Sequence, residues 1–446
     1  MKYRDFLIAE KDNMIEELKK FISINSVYDE STVTKEKPYG NGVAEALEYV
    51  AKLGMQYGFE VEKCDGHATE LTIGEGEKVI GIFAHADVVP ATGVWSEPPF
   101  SPYVKDGKLY GRGSSDDKGP FMAAFYAALA LKQAGLIKNY KIRFVVGGDE
   151  ERGSSCLDYY FKDLKKPSPT YGFTPDADFP VIYGEKGIND FFPELDAEIP
   201  HVKSIKGGAA TNAVCDKVEI VLDDPKAVVE YCGKNIIEHK CEENIVTIFG
   251  KSAHGSTPEA GVNAAIKALK ILGEVYEVKT LQNLAEGLAD TTGAKFGCFC
   301  KTKLMGQTTY CVGIISYEKG HLKFSVNFRY PETVKSSEYI AKFDSYFGTK
   351  SSIGEESKLL FFDPNSKLVK TLMKAYIKET KDYFHGPITI GGGTYAKHCQ
   401  NTVAFGALFP DREYVMHQPD EYMPVADILR SAIIYARAIK ALGKLK

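Results

Sequence analysis

The chain has 446 residues, of which 44% are hydrophobic and 26% charged, so it is long enough for more than one domain and has the composition of a globular protein. A net charge of −5 without a basic stripe excludes the nucleic-acid-binding classes. No apolar run approaches the roughly 20 residues of a membrane span, so we expect no membrane partner.

Nine cysteines are scattered along the chain without a CxxC pair, and the closest two are Cys298 and Cys300. Unpaired thiols in a long chain favour a reducing compartment. The charged, amphipathic N-terminus lacks the apolar core of a signal peptide. We therefore predict a cytoplasmic protein and expect no thiolate metal ligands.

The first part of the chain alternates between helical and strand patterns. Apolar periodicity predicts helices over 3–23, 42–57 and 119–134, and strands over 68–73, 79–84 and 141–147. The last of these helices is apolar nearly all round, which indicates burial against a sheet. This alternation predicts an α/β fold with a mostly parallel sheet flanked by helices.

The pattern changes after about residue 185. The predicted strands are 189–195, 216–222, 244–249, 310–317 and 321–329, and the predicted helices are 225–239, 259–277, 279–289 and 333–347. The alternation resumes with a helix over 365–380, strands over 387–391 and 402–408, and a helix over 425–442. We therefore predict a first domain built from 1–184 and 363–446, with an inserted α+β domain over 185–362.

Two polar clusters lie close together in the first domain. The β-branched run before His85 predicts a buried strand, and Asp87 projects to the same side as His85 because residues two apart on an extended chain share a face. Open α/β sheets carry their sites at such strand ends. The second cluster, 114–119, opens a helix. The two clusters together could form a metal site, although each cluster taken alone is more often a surface turn or a helix cap.

Four further clusters carry candidate groups. Glu150 and Glu151 follow the strand over 141–147, so one could bind a metal while the other acts as a general base. Asp176 lies in a proline-rich loop, His417 near the C-terminus and His254 in the insert. Each of them taken alone is more often a solvated turn or a structural imidazole.

The candidate ligands in the first domain share one kind of chemistry. Two imidazoles and several carboxylates, without thiolates, suit two divalent ions, zinc or manganese. The set is His85, Asp116, Glu151, Asp176 and His417. Asp116 is the best candidate for a carboxylate shared by both ions. Asp87 would orient His85 through its other ring nitrogen.

Eight motifs follow one another through both predicted domains: HADVVP, YGRGSSDDKGP, GDEERG, TPDADFP, KSAHGS, VNFRYP, GGGTYA and VMHQPDE. In this order they resemble the di-zinc metallopeptidase family of aminoacylases, carboxypeptidase G, carnosinases and succinyl-diaminopimelate desuccinylases, and most closely the bacterial PepV-type dipeptidases. The resemblance implies a zinc-exopeptidase-like catalytic domain with an inserted lid domain.

The resemblance also implies a role for each candidate in the first domain. His85 and Asp176 share one metal ion, and Glu151 and His417 share the other. Asp116 bridges the two ions and precedes a cis peptide bond. Glu150 is the general base.

Substrate contacts are implied mostly in the insert. His254 resembles a lid histidine that stabilises the oxyanion, and Asn212 resembles a second lid contact. Arg329 resembles the group that clamps the terminal carboxylate of the substrate, which suits a planar guanidinium. Gly392 and Thr394 lie in a loop that resembles a substrate lining.

The function that follows is a dinuclear-metal-dependent dipeptidase, which uses a metal-bridging water to hydrolyse dipeptides with a free N-terminal amine. In the family, an aspartate at the position of Asp176 goes with aminopeptidases and dipeptidases. An N-acyl-amino-acid deacylase or desuccinylase is the alternative. A non-catalytic metal-dependent binding protein is a further alternative, against which the intact Glu150, Asp116 and His254 argue. The resemblance also implies a monomer, because the enlarged lid of the PepV-type members supplies within one chain the histidine that dimeric members take from the partner subunit, and the insert over 185–362 is large enough for such a lid. A dimer is the alternative.

Overall fold

The computed structural model describes residues 2–445, apart from the side chain of Glu355. These residues form two compact units. The first contains 2–184, 361–388 and 393–445, and the second contains 185–360 and 389–392. The sequence predicts that the inserted domain ends at residue 362 and that 389–392 belong to the first domain. In the structure the main segment of the second unit ends at residue 360, and 389–392 cluster with that unit. Each unit has its own hydrophobic core.

The N-terminal segment of the first unit alternates between helices and strands. Its helices are α1 (Tyr3–Ala9), α2 (Lys11–Ile22), α3 (Asn41–Gln56), α4 (Lys118–Gln133) and α5 (Ser155–Asp158). Its strands are β1 (Glu60–Cys64), β2 (Ala68–Glu75), β3 (Lys78–His85), β4 (Tyr103–Lys105), β5 (Lys108–Tyr110), β6 (Tyr140–Gly147), β7 (Tyr171–Thr174), β8 (Ala177–Asp178) and β9 (Ile182–Glu185). The single helix predicted over 3–23 is interrupted at Glu10, whose backbone is not helical.

The second unit and the C-terminal segment contain the remaining elements. In the second unit the helices are α6 (Lys226–Lys234), α7 (Ala264–Val275), α8 (Lys279–Leu288) and α9 (Ser336–Phe347). Its strands are β10 (Gly187–Asp196), β11 (Val202–Gly207), β12 (Lys217–Leu222), β13 (His239–Glu242), β14 (Ile245–Phe249), β15 (Lys301–Thr302), β16 (Gly306–Gln307), β17 (Thr309–Glu318), β18 (His321–Tyr330) and β19 (Lys350–Ser357). Then follow β20 (Leu360–Phe361), α10 (Lys367–Thr380), β21 (Ile388–Ile390), β22 (Thr402–Ala404), β23 (Ala407–Leu408), β24 (Tyr422–Pro424) and α11 (Val425–Gly443).

The main sheet of the first unit has a parallel centre. Its strands follow the order β1-β2-β6-β3-β7-β22-β9. The pairs of β3 with β6, β3 with β7, and β22 with β7 are parallel. At the margins β1 pairs antiparallel with β2, to which it is joined by a turn too short for a parallel crossover. The pairs of β2 with β6 and of β22 with β9 are also antiparallel. The predicted α/β class is confirmed, with parallel pairing confined to the centre of the sheet.

Helix α4 is buried along nearly its whole length, as its apolar composition predicts. It packs against α1, α2, α11 and β3. Every residue from Lys118 to Leu131 is buried. Among the described residues, no helix combines the length and the apolar run that a membrane span needs.

The second unit has one large antiparallel sheet with helices packed on it, as predicted for an α+β insert. The strand order is β13-β14-β12-β11-β17-β18-β10-β19. Apolar side chains of α7, α8 and α9 join those of the sheet in one core. The helix predicted over 225–239 ends at Lys234, because the following Ile236 has a left-handed backbone with φ 54°. His239 then begins β13, one of three strands of this sheet that the periodicity does not predict.

Candidate metal centre

Three parallel strands of the first unit end at the same edge of the sheet. β3 ends at His85, which lies beside Gly147, the last residue of β6. Glu150 and Glu151 follow β6, and Asp176 follows β7 by two residues. Because parallel strands present their carboxyl ends together, this topology gathers one imidazole and three carboxylates at one edge.

Asp116 comes from the loop before α4. This loop turns sharply, since a Cβ on Gly119 would lie only 2.0 Å from the carbonyl oxygen of Ser114. The peptide bond between Asp116 and Asp117 is cis, as the family resemblance implies. The Asp117 carboxylate accepts a hydrogen bond from the main-chain N–H of His85 at 3.1 Å, which ties the loop to the end of β3.

A small sheet brings the C-terminal histidine to the same edge. Strand β24 pairs with β5, which pairs with β4. The main-chain N–H of Gly111 donates to the carbonyl of Glu421 at 2.9 Å, so the loop from His417 to Glu421 lies against the loop that carries Asp116. The sequence predicts none of these strands, because three-residue strands are too short for an apolar period.

The Asp116 carboxylate lies between the two histidines. Its Oδ1 is 3.0 Å from His85 Nε2, and its Oδ2 is 2.9 Å from His417 Nε2. Asp176 Oδ2 lies 3.7 Å from His85 Nε2, and Glu151 Oε1 lies 3.2 Å from His417 Nε2. Each histidine therefore has its own carboxylate, and both share Asp116.

These contacts define two groups of potential ligand atoms, His85–Asp116–Asp176 and Asp116–Glu151–His417. Within each group the ligand atoms lie within 4.8 Å of one another. Imidazole nitrogens and carboxylate oxygens without thiolates suit borderline-hard divalent ions. The residues present therefore fit a pair of such ions with Asp116 common to both.

Asp87 supports the centre without belonging to either group. Its main-chain oxygen lies 2.9 Å from His85 Nδ1, while its Oδ1 lies 3.4 Å from that nitrogen. The carboxylate accepts hydrogen bonds from the main-chain N–H groups of Glu150 and Glu151, each at 3.2 Å. Asp87 thus contacts the ring nitrogen of His85 that faces away from Asp116, and its carboxylate also holds the turn that carries both glutamates.

Burial and neighbouring charges shift the pKa values of Glu150, Asp176 and His417 upward. Burial raises the pKa of the Glu150 carboxyl well above its usual range, with His85 opposing the shift and Glu151 adding to it. Burial likewise raises the pKa of Asp176, and the charge of Asp116 adds to this rise. Burial lowers the pKa of His417, but hydrogen bonds with Asp116 and Glu151 outweigh it and raise that pKa to about 10.

Glu421 is a buried acidic residue that neither the sequence patterns nor the family resemblance single out. Its Oε2 accepts from Arg112 Nη1 at 2.7 Å, and its Oε1 accepts from the main-chain N–H of Ser115 at 2.8 Å. The sequence feature that could have identified Glu421 is its place in the motif VMHQPDE, four residues after His417.

Asn212 and His254 lie together in the second unit. Ala213 and His254 form an isolated β-bridge, and the N–H of Gly255 donates to the carbonyl of Asn212 at 2.7 Å. The backbone approaches β18 closely here, since a Cβ on Gly255 would lie 2.8 Å from Asn327 Oδ1. The two predicted lid contacts therefore share one region of this unit.

Arg329 lies beside this region and is held by hydrogen bonds within the second unit. Its Nε donates to Asn327 Oδ1 at 2.8 Å, and its Nη1 donates to the carbonyl of Gly391 at 2.6 Å, next to Gly392. Asn327 in turn donates to Asp190 Oδ1 at 2.5 Å. Burial lowers the pKa of Arg329 to about 10. The guanidinium is thus oriented by its neighbours.

Thr394 belongs to the first unit. It is buried, and its hydroxyl accepts a hydrogen bond from the main-chain N–H of Ala396 at 3.2 Å. The next residue, Tyr395, presents its ring edge-on to the His85 ring with centroids 6.1 Å apart. The predicted lining loop is therefore divided, with Gly392 in the second unit and Thr394 in the first.

Comparisons with known proteins agree on one family. The family model described as Peptidase family M20/M25/M40 matches residues 81–441. A Staphylococcus epidermidis protein named "Putative dipeptidase" is 36% identical over 467 residues, covering 99% of both chains. "Putative dipeptidase YtjP" of Bacillus subtilis is 36% identical over 471 residues, covering 98% of this chain and 99% of its own. The crystal structure of human carnosine dipeptidase 1 shares the fold, with a TM-score of 0.60 at 14% identity over 100% of this chain and 98% of the other.

Proposed function

Because the chain belongs to peptidase family M20/M25/M40 and is a peptide hydrolase, we propose that it is a dipeptidase that works with two divalent ions, zinc or manganese. The observation that carries this proposal is the Asp116 carboxylate, which offers one oxygen to each of two ligand groups. His85 and Asp176 would hold one ion, and Glu151 and His417 the other.

The chain's own groups would then divide the remaining work. When bound, the ions polarise the scissile carbonyl and make water a stronger acid. Glu150 belongs to neither ligand group, so its carboxylate would take a proton from the attacking water and pass it to the leaving amine. Asp87 would hold Glu150 in place through the main-chain N–H.

Substrate contacts form a further part of the proposal. We propose that Arg329 binds the terminal carboxylate of the dipeptide, because its guanidinium is pre-oriented by Asn327 and Gly391. Asn212, Gly392 and Thr394 remain predicted substrate contacts, and His254 remains the predicted group that stabilises the oxyanion. The cytoplasmic location and the monomeric state also remain predictions.

A substrate panel separates a dipeptidase from a deacylase. We expect the protein, supplied with Mn²⁺ or Zn²⁺, to hydrolyse Ala-Ala but neither N-acetyl-Ala nor N-succinyl-Ala, because Asp176 in place of glutamate goes with a free substrate amine. N-acetyl-Ala-Ala contains the same peptide bond with a blocked amine and is the matched control. Faster release of the acyl groups than cleavage of Ala-Ala would favour the deacylase, and metal binding without any hydrolysis would favour a binding protein.

Changing Arg329 to methionine should raise KM for Ala-Ala by roughly 10-fold or more, because a charge-assisted hydrogen bond to the substrate carboxylate is lost. Ala-Ala amide lacks that carboxylate, so its kcat/KM should be nearly the same in both proteins. Steady-state kinetics on the two substrates measures the difference. An equal loss on Ala-Ala and on its amide would show that Arg329 does not bind the carboxylate.

A further inference from the structure

A single buried carboxylate connects the two loops that carry Asp116 and His417. The Glu421 side chain is fully buried. Its Oε1 accepts main-chain hydrogen bonds from Gly113 at 3.1 Å, Ser115 at 2.8 Å and Asp116 at 3.3 Å. The Ser115 hydroxyl also donates to it, at 3.1 Å.

The other carboxylate oxygen is compensated by a buried cation. Arg112 Nη1 donates to Oε2 of Glu421 at 2.7 Å, and both side chains are almost completely excluded from solvent. A buried ion pair of this kind is weak evidence for added stability, because desolvation of the two charges offsets their attraction. Net stabilisation is therefore not a sufficient reason for the Arg112–Glu421 pair, and the place of Glu421 in the fold indicates another role.

That position is between two proposed metal ligands. Glu421 follows His417 by four residues in the same loop, and its carboxylate bonds directly to the main-chain N–H of Asp116. Displacement of either loop would break several of these bonds together. The carboxylate thus bonds to the loop of Asp116 while it belongs to the loop of His417, and the facing atoms of Asp116 and His417 lie 2.9 Å apart.

We propose that Glu421 is a positioning residue that holds the Asp116 and His417 loops in register for binding of both ions. This inference rests on the proposed function, because it concerns the same metal centre. It assigns to Glu421 no contact with substrate. Groups that orient metal ligands from outside typically change metal affinity by about 10–100-fold when they are altered.

The test compares metal binding by wild type, Glu421→Gln and Asp427→Asn. The amide in Glu421→Gln keeps the side-chain volume but places an N–H group among donors. Asp427 is the matched control, since it is also buried and accepts a hydrogen bond from an arginine, Arg412, at 3.1 Å. In the described residues it makes no hydrogen bond to 112–116.

Each protein is stripped of metal and titrated with Mn²⁺ alone and with Zn²⁺ alone against a chromophoric chelator. Circular dichroism confirms that the stripped proteins are folded. We expect Glu421→Gln to bind both ions about 10–100-fold more weakly than wild type. Asp427→Asn should bind them as tightly as wild type, even if its melting temperature is lower.

The possible results distinguish a failure of the positioning role of Glu421 from a failure of the proposed function. Wild-type affinity in Glu421→Gln, or equal weakening in Asp427→Asn, would overturn the positioning role. If Glu421→Gln does not fold, Ser115→Ala decides, because it removes only the hydroxyl bond and should weaken metal binding by a smaller factor. Unchanged affinity in that variant would then overturn the inference. If wild type binds no ions, the proposed function itself fails.

Discussion

Replacing Glu150 by glutamine should lower kcat for dipeptides by about 10²–10⁴-fold while two divalent ions remain bound. Glutamine has nearly the same shape but cannot accept a proton at neutral pH. The main-chain N–H of Glu150, which donates to Asp87 Oδ1 at 3.2 Å, is unaffected by the substitution. Steady-state kinetics and metal analysis of the same dialysed sample measure the two quantities together.

The neighbouring glutamate provides the matched control for this substitution. Glu151 is bonded to the same Asp87 carboxylate through its own N–H, but its side chain lies 3.2 Å from His417 Nε2. Glu151→Gln should therefore weaken metal binding as well as turnover. Turnover of Glu150→Gln close to wild type, or loss of metal from it, would contradict the assignment of Glu150 as the base.

The candidate ligands at strand ends could be recognised because two independent patterns coincide there. A buried strand shows itself as an apolar run, as in residues 79–84, and the polar residues directly after it stand out against that run. Parallel pairing then brings His85 next to Gly147 and the glutamates beyond it. Local patterning and sheet topology together thus predict that His85, Glu150 and Glu151 lie at one edge of the sheet, whereas Asp176 follows β7, for which no strand is predicted.

The C-terminal part of the centre has no comparable pattern. The position of His417 depends on β24, a three-residue strand whose pairing with β5 leaves no apolar period in the sequence. The buried Glu421 carboxylate is compensated by five hydrogen bonds, all of them from residues about 300 positions earlier in the chain. Tertiary hydrogen bonds of this kind are set by the folded chain, so reading the residues alone does not reveal them.

Asp87 makes contacts beyond the one that the sequence predicts. The sequence predicts that it orients His85, and its main-chain oxygen lies 2.9 Å from the ring nitrogen. Its carboxylate accepts the N–H groups of the turn after β6. Buried N–H groups require a partner, and the ladder of the strand no longer supplies one beyond Gly147. One residue therefore links His85, a proposed ligand, to Glu150, the proposed base.

Replacing Asp116 by alanine should abolish binding of both ions, whereas Asp176→Ala should weaken the binding of one. Asp116 is common to the two ligand groups, with Oδ1 3.0 Å from His85 Nε2 and Oδ2 2.9 Å from His417 Nε2. Asp176 belongs only to the group of His85. Activity of Asp116→Ala should fall by more than the roughly 10–100-fold typical of changes outside the ligand shell.

Metal content after dialysis and the thermal shift on addition of Mn²⁺ measure this difference. An ion that binds only the folded state raises the melting temperature, so wild type should gain stability on metal addition and Asp116→Ala should not. Asp149→Asn is the matched control, because Asp149 is a buried carboxylate that bonds to Ser155 and belongs to neither ligand group. It should keep both ions. Two ions retained by Asp116→Ala would mean that the carboxylate does not bridge them, and the dinuclear centre would then have to be built from other residues.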